Sequence, residues 1–218
     1  MTPDSAGDTG HATGAGVVLA GGRSTRYGAG DKALADLAGI PMLRRVADAL
    51  APAVESVVVN CRPDQTDALR PALNGYELPV RFAEDPEPDL GPLGGIRTGL
   101  RAVDARGEHE YAAVVACDMP FLDSGFVGHL FDRAQGHDAA VPRVDEWFQT
   151  THAVYRAGAM AGACDEALDR GEGKILAALD RLDYVVVGRE ELDRYATPEV
   201  FRNCNTPEEV ARATEEFG

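Results

Sequence analysis

The sequence predicts a doubly wound α/β fold with a mostly parallel sheet, built as a single domain. The chain has 218 residues, 44% of them hydrophobic, which is enough to bury the core of one sizeable domain. Short β-rich runs alternate with helical stretches, an order typical of βα units. Two of these runs, Val57–Val59 and Ala112–Ala116, are apolar without polar alternation. Such runs indicate strands that helices cover on both faces.

The pattern predicts seven strands, at Gly16–Ala20, Ser56–Asn60, Val80–Ala83, Ala112–Cys117, Ala139–Val141, His152–Tyr155 and Tyr184–Val187. It predicts seven helices, at Pro41–Leu50, Asp64–Leu73, Gly95–Asp104, Ser124–Ala134, Gly158–Asp169, Lys174–Leu182 and Pro207–Glu216. Pro41 and Pro207 suit the first position of a helix, and Thr206 suits the N-cap of the last one. Residues 1–14, rich in Gly, Ala, Thr and Asp, predict a flexible tail before a domain at residues 15–218.

Composition excludes several classes of protein. The net charge of −15 argues against nucleic acid or an anionic membrane surface as a partner. No apolar run approaches the roughly 18–20 residues that span a bilayer, and the N-terminus lacks the features of a secretory signal. The four cysteines form no CxxC pair, which favours reduced thiols and a cytoplasmic protein. The acidic surface fits either an ordinary solubilising surface or adaptation to high salt.

A glycine-rich loop follows the first predicted strand. Residues 19–32 read LAGGRSTRYGAGDK, with the three cations Arg23, Arg26 and Lys32 against the single carboxylate of Asp31. Glycines let backbone N–H groups approach phosphate oxygens, and a polyanion needs such a local positive site. The glycine spacing matches neither of the two common phosphate loops. It therefore indicates a phosphate-binding loop of another class.

Polar residues also follow the other strands, where ligands bind in doubly wound folds. Asn60 follows the second strand, Asp85 the third, and a second glycine cluster at residues 91–96 is expected to open a helix with free N–H groups. Asp118 ends a buried strand, where a carboxylate is costly unless it binds a cation, and Mg²⁺ suits a phosphate site. The amide oxygen of Asn205 is a candidate to complete the metal shell.

Five motifs in this order resemble the molybdenum cofactor guanylyltransferases. They are LAGGRSTRYGAGDK, EDP, GPLGGI, CDMP and NCNTPEE, and the match runs from about Gly16 to Glu216. The first motif is shared with many nucleotidyltransferases, whereas the full set is more specific to the molybdopterin branch. The resemblance implies a Rossmann-like nucleotidyltransferase domain. It also implies transfer of GMP from GTP to molybdenum-molybdopterin, with molybdopterin guanine dinucleotide and pyrophosphate as products.

The resemblance also implies roles for particular residues. Four residues are expected to line the nucleotide: Leu19, Ala20, Gly21 and Gly22. Lys32 and Arg26 are expected to hold phosphates, Lys32 at the α-phosphate and Arg26 at the departing pyrophosphate. Asn60 and Asp85 are expected to contact the nucleoside, and Asp118 to bind Mg²⁺. The implied partners are GTP, a molybdopterin-type acceptor, and molybdoenzymes or other cofactor-assembly proteins.

One segment departs from the family pattern. Where the family usually has His-Pro-Thr or His-Pro-Leu before a late strand, this chain has Gln149-Thr150-Thr151-His152, a stretch expected to face the pterin. Related reactions therefore stay open, with CTP in place of GTP or another phosphorylated acceptor. A non-catalytic nucleotide sensor is disfavoured because it does not need both Lys32 and Asp118. A Rossmann oxidoreductase is disfavoured by the glycine spacing of the first loop.

Overall fold

The computed structural model describes residues 13–23, 27, 30–87 and 90–218. These residues contain ten strands: β1 (Gly14–Leu19), β2 (Asp36–Leu37), β3 (Ile40–Pro41), β4 (Val54–Cys61), β5 (Val80–Glu84), β6 (Tyr111–Ala116), β7 (Ala139–Val144), β8 (Trp147–Phe148), β9 (His152–Arg156) and β10 (Tyr184–Val187). They also contain eight α-helices: α1 (Met42–Leu50), α2 (Thr66–Leu69), α3 (Gly91–Asp104), α4 (Ser124–Ala134), α5 (Ala157–Asp169), α6 (Ile175–Leu179), α7 (Arg189–Tyr195) and α8 (Pro207–Phe217).

Seven strands form the central sheet in the order β10-β7-β9-β6-β1-β4-β5, and β8 pairs with β7 at its margin. The pairs β6–β1, β1–β4, β4–β5 and β10–β7 are parallel, whereas β9 is antiparallel to both of its neighbours. The predicted mostly parallel, doubly wound sheet in one domain is confirmed. Since β9 runs the opposite way, its first residues lie beside the last residues of β6.

Helices cover both faces of the sheet. One apolar cluster contains Val18 of β1 with Met42 of α1, Phe126 of α4 and residues of α8. The other contains Val17 with Ile96 of α3 and residues of α5 and α6. Adjacent residues of one strand thus enter opposite clusters. This explains why the strands are apolar without alternation.

All seven predicted strands are present, with ends shifted by up to three residues. Three strands were not predicted: β8 and the short hairpin β2–β3, which turns through Ala38 and Gly39 at φ 51° and 79°. The helix predicted at Asp64–Leu73 is a short α2 continued by a 3₁₀ turn. The helix expected to open at Gly95 begins at Gly91 instead. Helix α7 was also missed.

The caps of two helices show how local chemistry sets their ends. Thr206 caps α8 as predicted, in a capping box with Glu209. Pro41 is the N-cap of α1 rather than its first residue.

The flexible tail predicted for residues 1–14 lies almost entirely outside the described residues, and β1 begins at Gly14. Within the described part of the chain, no helix has both the length and the apolar character needed to cross a membrane.

Candidate active site

The carboxyl ends of β1, β4, β5 and β6 meet at one edge of the sheet. The backbone continues the strand contacts past these ends. The Ala20 N–H donates to the Asn60 carbonyl (2.8 Å), and the Cys117 N–H donates to the Leu19 carbonyl (3.1 Å). The segments that follow the strands are therefore held side by side, as the sequence predicted.

Lys32 reaches this edge on a short 3₁₀ helix at residues 32–34. Asp31 is the N-cap, and its carboxylate accepts a hydrogen bond from the backbone of that helix (3.0 Å). The Lys32 ammonium lies 2.5 Å from Asp118 Oδ2 and 3.0 Å from Asn205 Oδ1. Three residues far apart in the chain thus converge on one cation. Arg26, the other predicted phosphate ligand, lies outside the described residues.

Asp118 is the centre of this cluster. Its backbone carbonyl accepts a hydrogen bond from the Cys204 N–H (2.8 Å), which ties residues 203–205 to the end of β6. Its Oδ2 contacts Lys32, whereas its Oδ1 is buried and has no hydrogen-bond partner among the described residues. A buried carboxylate oxygen is costly when it lacks a partner. This oxygen therefore fits a ligand that brings positive charge.

Asn205 is positioned by the cap of α8. Its backbone N–H donates to Glu209 Oε2 (2.6 Å), and the Thr206 N–H donates to the same oxygen (3.1 Å). The hydrogen bond from Asn205 is the main cause that lowers the pKa of Glu209, so this carboxylate stays ionised and holds the turn. The capping box that ends the chain's last loop thus also presents the Asn205 side chain to Lys32.

The residues fit a magnesium site only in part. Asp118 Oδ1 suits a hard cation, because carboxylate oxygen is what Mg²⁺ prefers. The Asn205 oxygen, in contrast, accepts a hydrogen bond from Lys32. Among the described residues no group of three or more His, Cys, Asp or Glu side chains could hold a metal ion. A metal here would need ligands from substrate phosphates, as Mg²⁺ commonly takes in nucleotide sites.

Asn60 and Asp85, the predicted nucleoside residues, form a pair on the other side of the first loop. Asn60 is buried, and its Nδ2 donates to Asp85 Oδ1 (2.7 Å) and to the Ala83 carbonyl (3.3 Å). A Cβ added at Gly21 would lie 3.0 Å from Asp85 Oδ2, and one added at Gly95 would lie 2.5 Å from Asn60 Oδ1. Glycine at these two positions therefore lets the first loop and α3 pack against this pair.

The second glycine cluster has a packing role that the sequence did not reveal. Helix α3 starts at Gly91, where φ is +66°, so Gly94 and Gly95 lie inside it. A Cβ at Gly94 would lie 2.5 Å from the Leu90 Cβ. The expectation that the glycine cluster at residues 91–96 opens a helix is confirmed, but the helix starts at Gly91 rather than at Gly95. The unpaired N–H groups of the first turn precede Gly94.

These groups line one cavity of about 800 Å³. Its walls include all eight residues predicted to bind the nucleotide: Leu19, Ala20, Gly21, Gly22, Lys32, Asn60, Asp85 and Asp118. Asn203 also lines it, whereas Asn205 contacts Lys32 from outside the lining. The described lining carries three cationic side chains, Arg23, Lys32 and Arg62, and four carboxylates, Asp64, Asp85, Glu87 and Asp118. A bound triphosphate would therefore require additional positive charge.

Arg62 is a cavity residue that sequence reasoning missed. Its guanidinium donates to the Gly21 carbonyl and to the Gly22 carbonyl, at 3.0 Å each. Its position in the sequence, two residues after Asn60 at the carboxyl end of a strand, is the feature that indicates it. Ligands bind at such strand ends, so a cation there is a candidate for phosphate binding.

The segment that departs from the family pattern is divided between cavity and core. Thr151 lines the cavity. His152 begins β9 and is fully buried, with its ring near those of Phe126 and Phe201.

Cys117, at the end of β6, is also buried, and burial raises the pKa of its thiol. A buried, protonated thiol is not a nucleophile.

The chain is similar in sequence to proteins of a known family. Residues 16–182 match the family model described as MobA-like NTP transferase domain. A protein of Natronomonas pharaonis named "Probable molybdenum cofactor guanylyltransferase" is 48% identical over 200 residues, covering 92% of this chain and 96% of its own length. A protein of Haloferax mediterranei with the same name is 41% identical over 203 residues, covering 93% and 92%.

A solved structure shares the fold. The crystal structure of molybdopterin-guanine dinucleotide biosynthesis protein A from Archaeoglobus fulgidus superposes with a TM-score of 0.74 at 27% identity, covering 93% of this chain and 98% of that one. The 4-diphosphocytidyl-2C-methyl-D-erythritol synthase from Anaerococcus prevotii superposes with a TM-score of 0.68 at 13% identity, covering 95% and 99%. The second likeness concerns the fold alone.

Proposed function

Since this chain belongs to the MobA-like NTP transferase family, whose members transfer nucleotides, we propose that it moves GMP from GTP to molybdenum-molybdopterin. The products would be molybdopterin guanine dinucleotide and pyrophosphate. The observation that carries the proposal is the cavity that joins the Lys32–Asp118 pair to the Asn60–Asp85 pair. The names of relatives at 48% and 41% identity support guanine and the molybdenum cofactor as its substrates.

The proposed reaction is an in-line displacement at the α-phosphorus of GTP. An oxygen of the acceptor phosphate forms the new bond to phosphorus. The bond from that phosphorus to the oxygen bridging the β-phosphate breaks, and its electron pair leaves with pyrophosphate. The attacking phosphate is already ionised at pH 7, so no general base is needed. Catalysis then depends on positioning and on electrostatic stabilisation.

Lys32 would supply positive charge to the transferred phosphate. The side chains of Asp118 and Asn205 hold its ammonium in place, so little reorganisation is needed. Asp118 pairs with this ammonium and holds it near the end of β6. Asn205 donates no charge, and its role would be to orient the cation. Arg26, which lies outside the described residues, is proposed to hold the departing pyrophosphate.

Mg²⁺ is proposed as the cofactor, with Asp118 as its protein ligand. The buried and unpaired Oδ1 of Asp118 supports this assignment, as does a described lining with more carboxylates than cations. Bound there with the triphosphate, Mg²⁺ would neutralise phosphate charge and stabilise the leaving group. Asn205 is a poorer candidate ligand than the sequence had indicated, because its oxygen already accepts from Lys32.

Asp85 is proposed to select guanine. Guanine presents N1–H and an exocyclic amino group side by side, and a carboxylate accepts such a pair of donors well. Asn60 occupies Asp85 Oδ1 and thereby fixes the direction in which the carboxylate points. Cytosine lacks the donor pair and would leave a desolvated oxygen unpaired, at a cost of about 1–3 kcal/mol.

The test is to incubate the full chain with Mg²⁺, molybdopterin carrying molybdenum, and each of GTP, CTP, ATP and UTP in turn. Pyrophosphate release and the dinucleotide product are measured together. The expected result is product with GTP and at least about tenfold less with CTP. Equal rates with GTP and CTP would contradict guanine selection. Pyrophosphate release without molybdopterin would contradict the proposal that molybdenum-molybdopterin is the acceptor.

A further inference from the structure

Gln65 is a buried polar residue that the proposed chemistry does not use. It lies between β4 and α2 and is 3% exposed. It occupies the N-cap position of α2, but its side chain makes no capping hydrogen bond there. A buried amide is costly unless it finds partners elsewhere.

The Gln65 amide finds those partners in the first loop. Its Nε2 donates to the Ala20 carbonyl (3.2 Å) and to the carboxylate of Asp31, and its Oε1 accepts from the Arg62 N–H (3.0 Å). Both amide hydrogens and the amide oxygen are thus used. A flipped amide would set its oxygen against two acceptors and its NH₂ against a donor. The orientation is therefore dictated by the partners.

The two acceptors stand at opposite ends of the phosphate loop. Ala20 is the first residue after β1, and Asp31 directly precedes Lys32. The other oxygen of Asp31 caps the 3₁₀ helix that carries Lys32 (3.0 Å). A single amide thus ties the start of the loop to the support of the lysine.

Arg62 braces the stretch between these ends. It donates to the carbonyls of Gly21 and Gly22, at 3.0 Å each. Because the peptide bond is planar, a fixed carbonyl also fixes the N–H group of the following residue. Together, Gln65 and Arg62 hold three consecutive carbonyls, those of residues 20–22. They therefore set the direction of the loop N–H groups that phosphate oxygens would meet.

We infer that Gln65 is a positioning residue for nucleotide transfer: it closes the loop between Ala20 and Asp31 and presets Lys32 before GTP binds. The inference rests on the proposed function, because it takes the loop as the phosphate site. Groups that are held in place in advance lose less conformational entropy when substrate binds. A small displacement of a charged group costs far more in rate than in ground-state binding.

The first test variant is Gln65→Leu, which keeps the bulk and removes every amide hydrogen bond. The expected result is a loss of at least about tenfold in kcat, with a smaller rise in the Kd of GTP. Gln135→Leu is the matched control, because this exposed glutamine donates only to the Phe131 carbonyl at the end of α4. The control should keep wild-type kcat. Circular dichroism and thermal melts establish that each variant is folded.

A second pair of variants separates positioning from bulk packing. Gln65→Glu sets a carboxylate against the Ala20 carbonyl and Asp31, and should lose more activity than Gln65→Leu. Adding Asp31→Asn returns a donor that faces Glu at position 65 and can still cap the 3₁₀ helix. The double variant should recover at least about threefold in kcat over Gln65→Glu. A purely structural role for Gln65 would give no such recovery.

Two results would overturn the inference: wild-type kcat in folded Gln65→Leu, or no recovery in the double variant. Failure of the proposed function is a separate outcome. If the wild-type chain does not transfer GMP, calorimetric titration of GTP into wild type and Gln65→Leu still tests the loop. Weaker binding by the variant then supports the positioning role, and equal affinity overturns it.

Discussion

The loops after β1 and β4 and the hairpin between β7 and β9 lie at the same edge of the sheet but are held in different ways. Side chains tie the first pair together: Arg62 and Gln65 hold the carbonyls of residues 20–22, and Asn60 holds Asp85. The hairpin is held by its own backbone, in which the Gln149 N–H donates to the Pro142 carbonyl (2.8 Å).

The two regions also differ in what they bury. The hairpin leaves Trp147 76% exposed, and His152, where β9 begins, is fully buried with its ring close to those of Phe126 and Phe201. Around the loops after β1 and β4, in contrast, the buried polar residues Asn60 and Gln65 donate hydrogen bonds to backbone carbonyls. Substitutions in the first region are therefore expected to change the rate and the choice of nucleotide, and substitutions in the second to change stability or acceptor binding.

The largest expected effect is that of Asp118→Asn. The substitution removes the charge that holds Lys32 and the oxygen proposed for Mg²⁺. We expect kcat to fall by at least about two orders of magnitude, or roughly 3–4 kcal/mol, with the fold retained. Asp123→Asn is the matched control. Asp123 caps α4 by accepting a hydrogen bond from the Phe126 N–H (2.7 Å), and asparagine is an equally good capping residue. Steady-state kinetics with saturating Mg²⁺ measures both, and near wild-type kcat for Asp118→Asn would contradict the site.

The second-largest effect concerns how stability depends on pH, and it involves His152, which follows the hairpin. Burial lowers the pKa of His152 from 6.5 to about 4, and the nearby charge of Asp123 only partly offsets this. Neither ring nitrogen reaches a hydrogen-bond partner among the described residues, although the Val200 backbone approaches the ring. The unfolded chain therefore binds a proton more readily than the folded one. Stability due to the neutral ring is complete above pH 6.5 and lost as the pH falls towards 4.

The expected loss is about 1.4 kcal/mol for each pH unit in that window, or about 3 kcal/mol in total. His152→Leu should remove this part of the pH dependence, and His109→Leu, in the turn before β6, should retain it. Urea unfolding of the three proteins from pH 7.5 downwards measures the difference. Parallel curves for wild type and His152→Leu would show that the buried ring does not couple folding to pH.

The third effect is that of Lys32→Ala in the candidate active site. Its charge matters most as negative charge shifts towards the leaving group, so kcat should fall about tenfold to hundredfold while the Kd of GTP rises less. Lys174→Ala is the matched control, since Lys174 is the chain's other lysine and is exposed before α6. Single-turnover rates and GTP titration give the two quantities. An effect confined to Kd would make Lys32 a binding residue only.

The smallest effect concerns the choice of base. Wild type should prefer GTP over CTP by at least about tenfold in kcat/KM, and Asp85→Ala should narrow that ratio. Asp67→Ala, an exposed carboxylate of α2, is the control and should leave the ratio unchanged. Competition assays with both nucleotides measure the ratio directly. An equal loss on GTP and CTP would place Asp85 on the ribose and leave guanine selection to other groups.

Most of the fold could be predicted because its strands are strongly apolar. An apolar run such as Val57–Val59 indicates a buried strand by itself, without knowledge of the strands that pair with it. All seven predicted strands are present. The missed elements carry weak signals. The strands β2 and β3 have only two residues each, too few to show an alternating pattern, and helix α7, with the sequence REELDRY, buries only Leu192. Such elements form through tertiary contacts rather than through their own pattern.

The site could be predicted as far as strand ends reveal it. Asn60 lies at the carboxyl end of β4, and Asp85 and Asp118 come just after β5 and β6, so topology alone places them together. Gln65 could not be found in this way. The acceptors of its side-chain NH₂ group are a backbone carbonyl 45 residues away and a carboxylate 34 residues away. Only the folded chain shows that these groups meet.

The most direct test of the account follows the phosphates of GTP. The full chain is incubated with Mg²⁺, molybdenum-molybdopterin and GTP labelled either at the α-phosphate or at the γ-phosphate, and the products are separated. Guanylyl transfer predicts that the α-label appears in the pterin dinucleotide and the γ-label in pyrophosphate. A γ-label on the pterin, or an α-label that remains wholly in free guanine nucleotides, would contradict it.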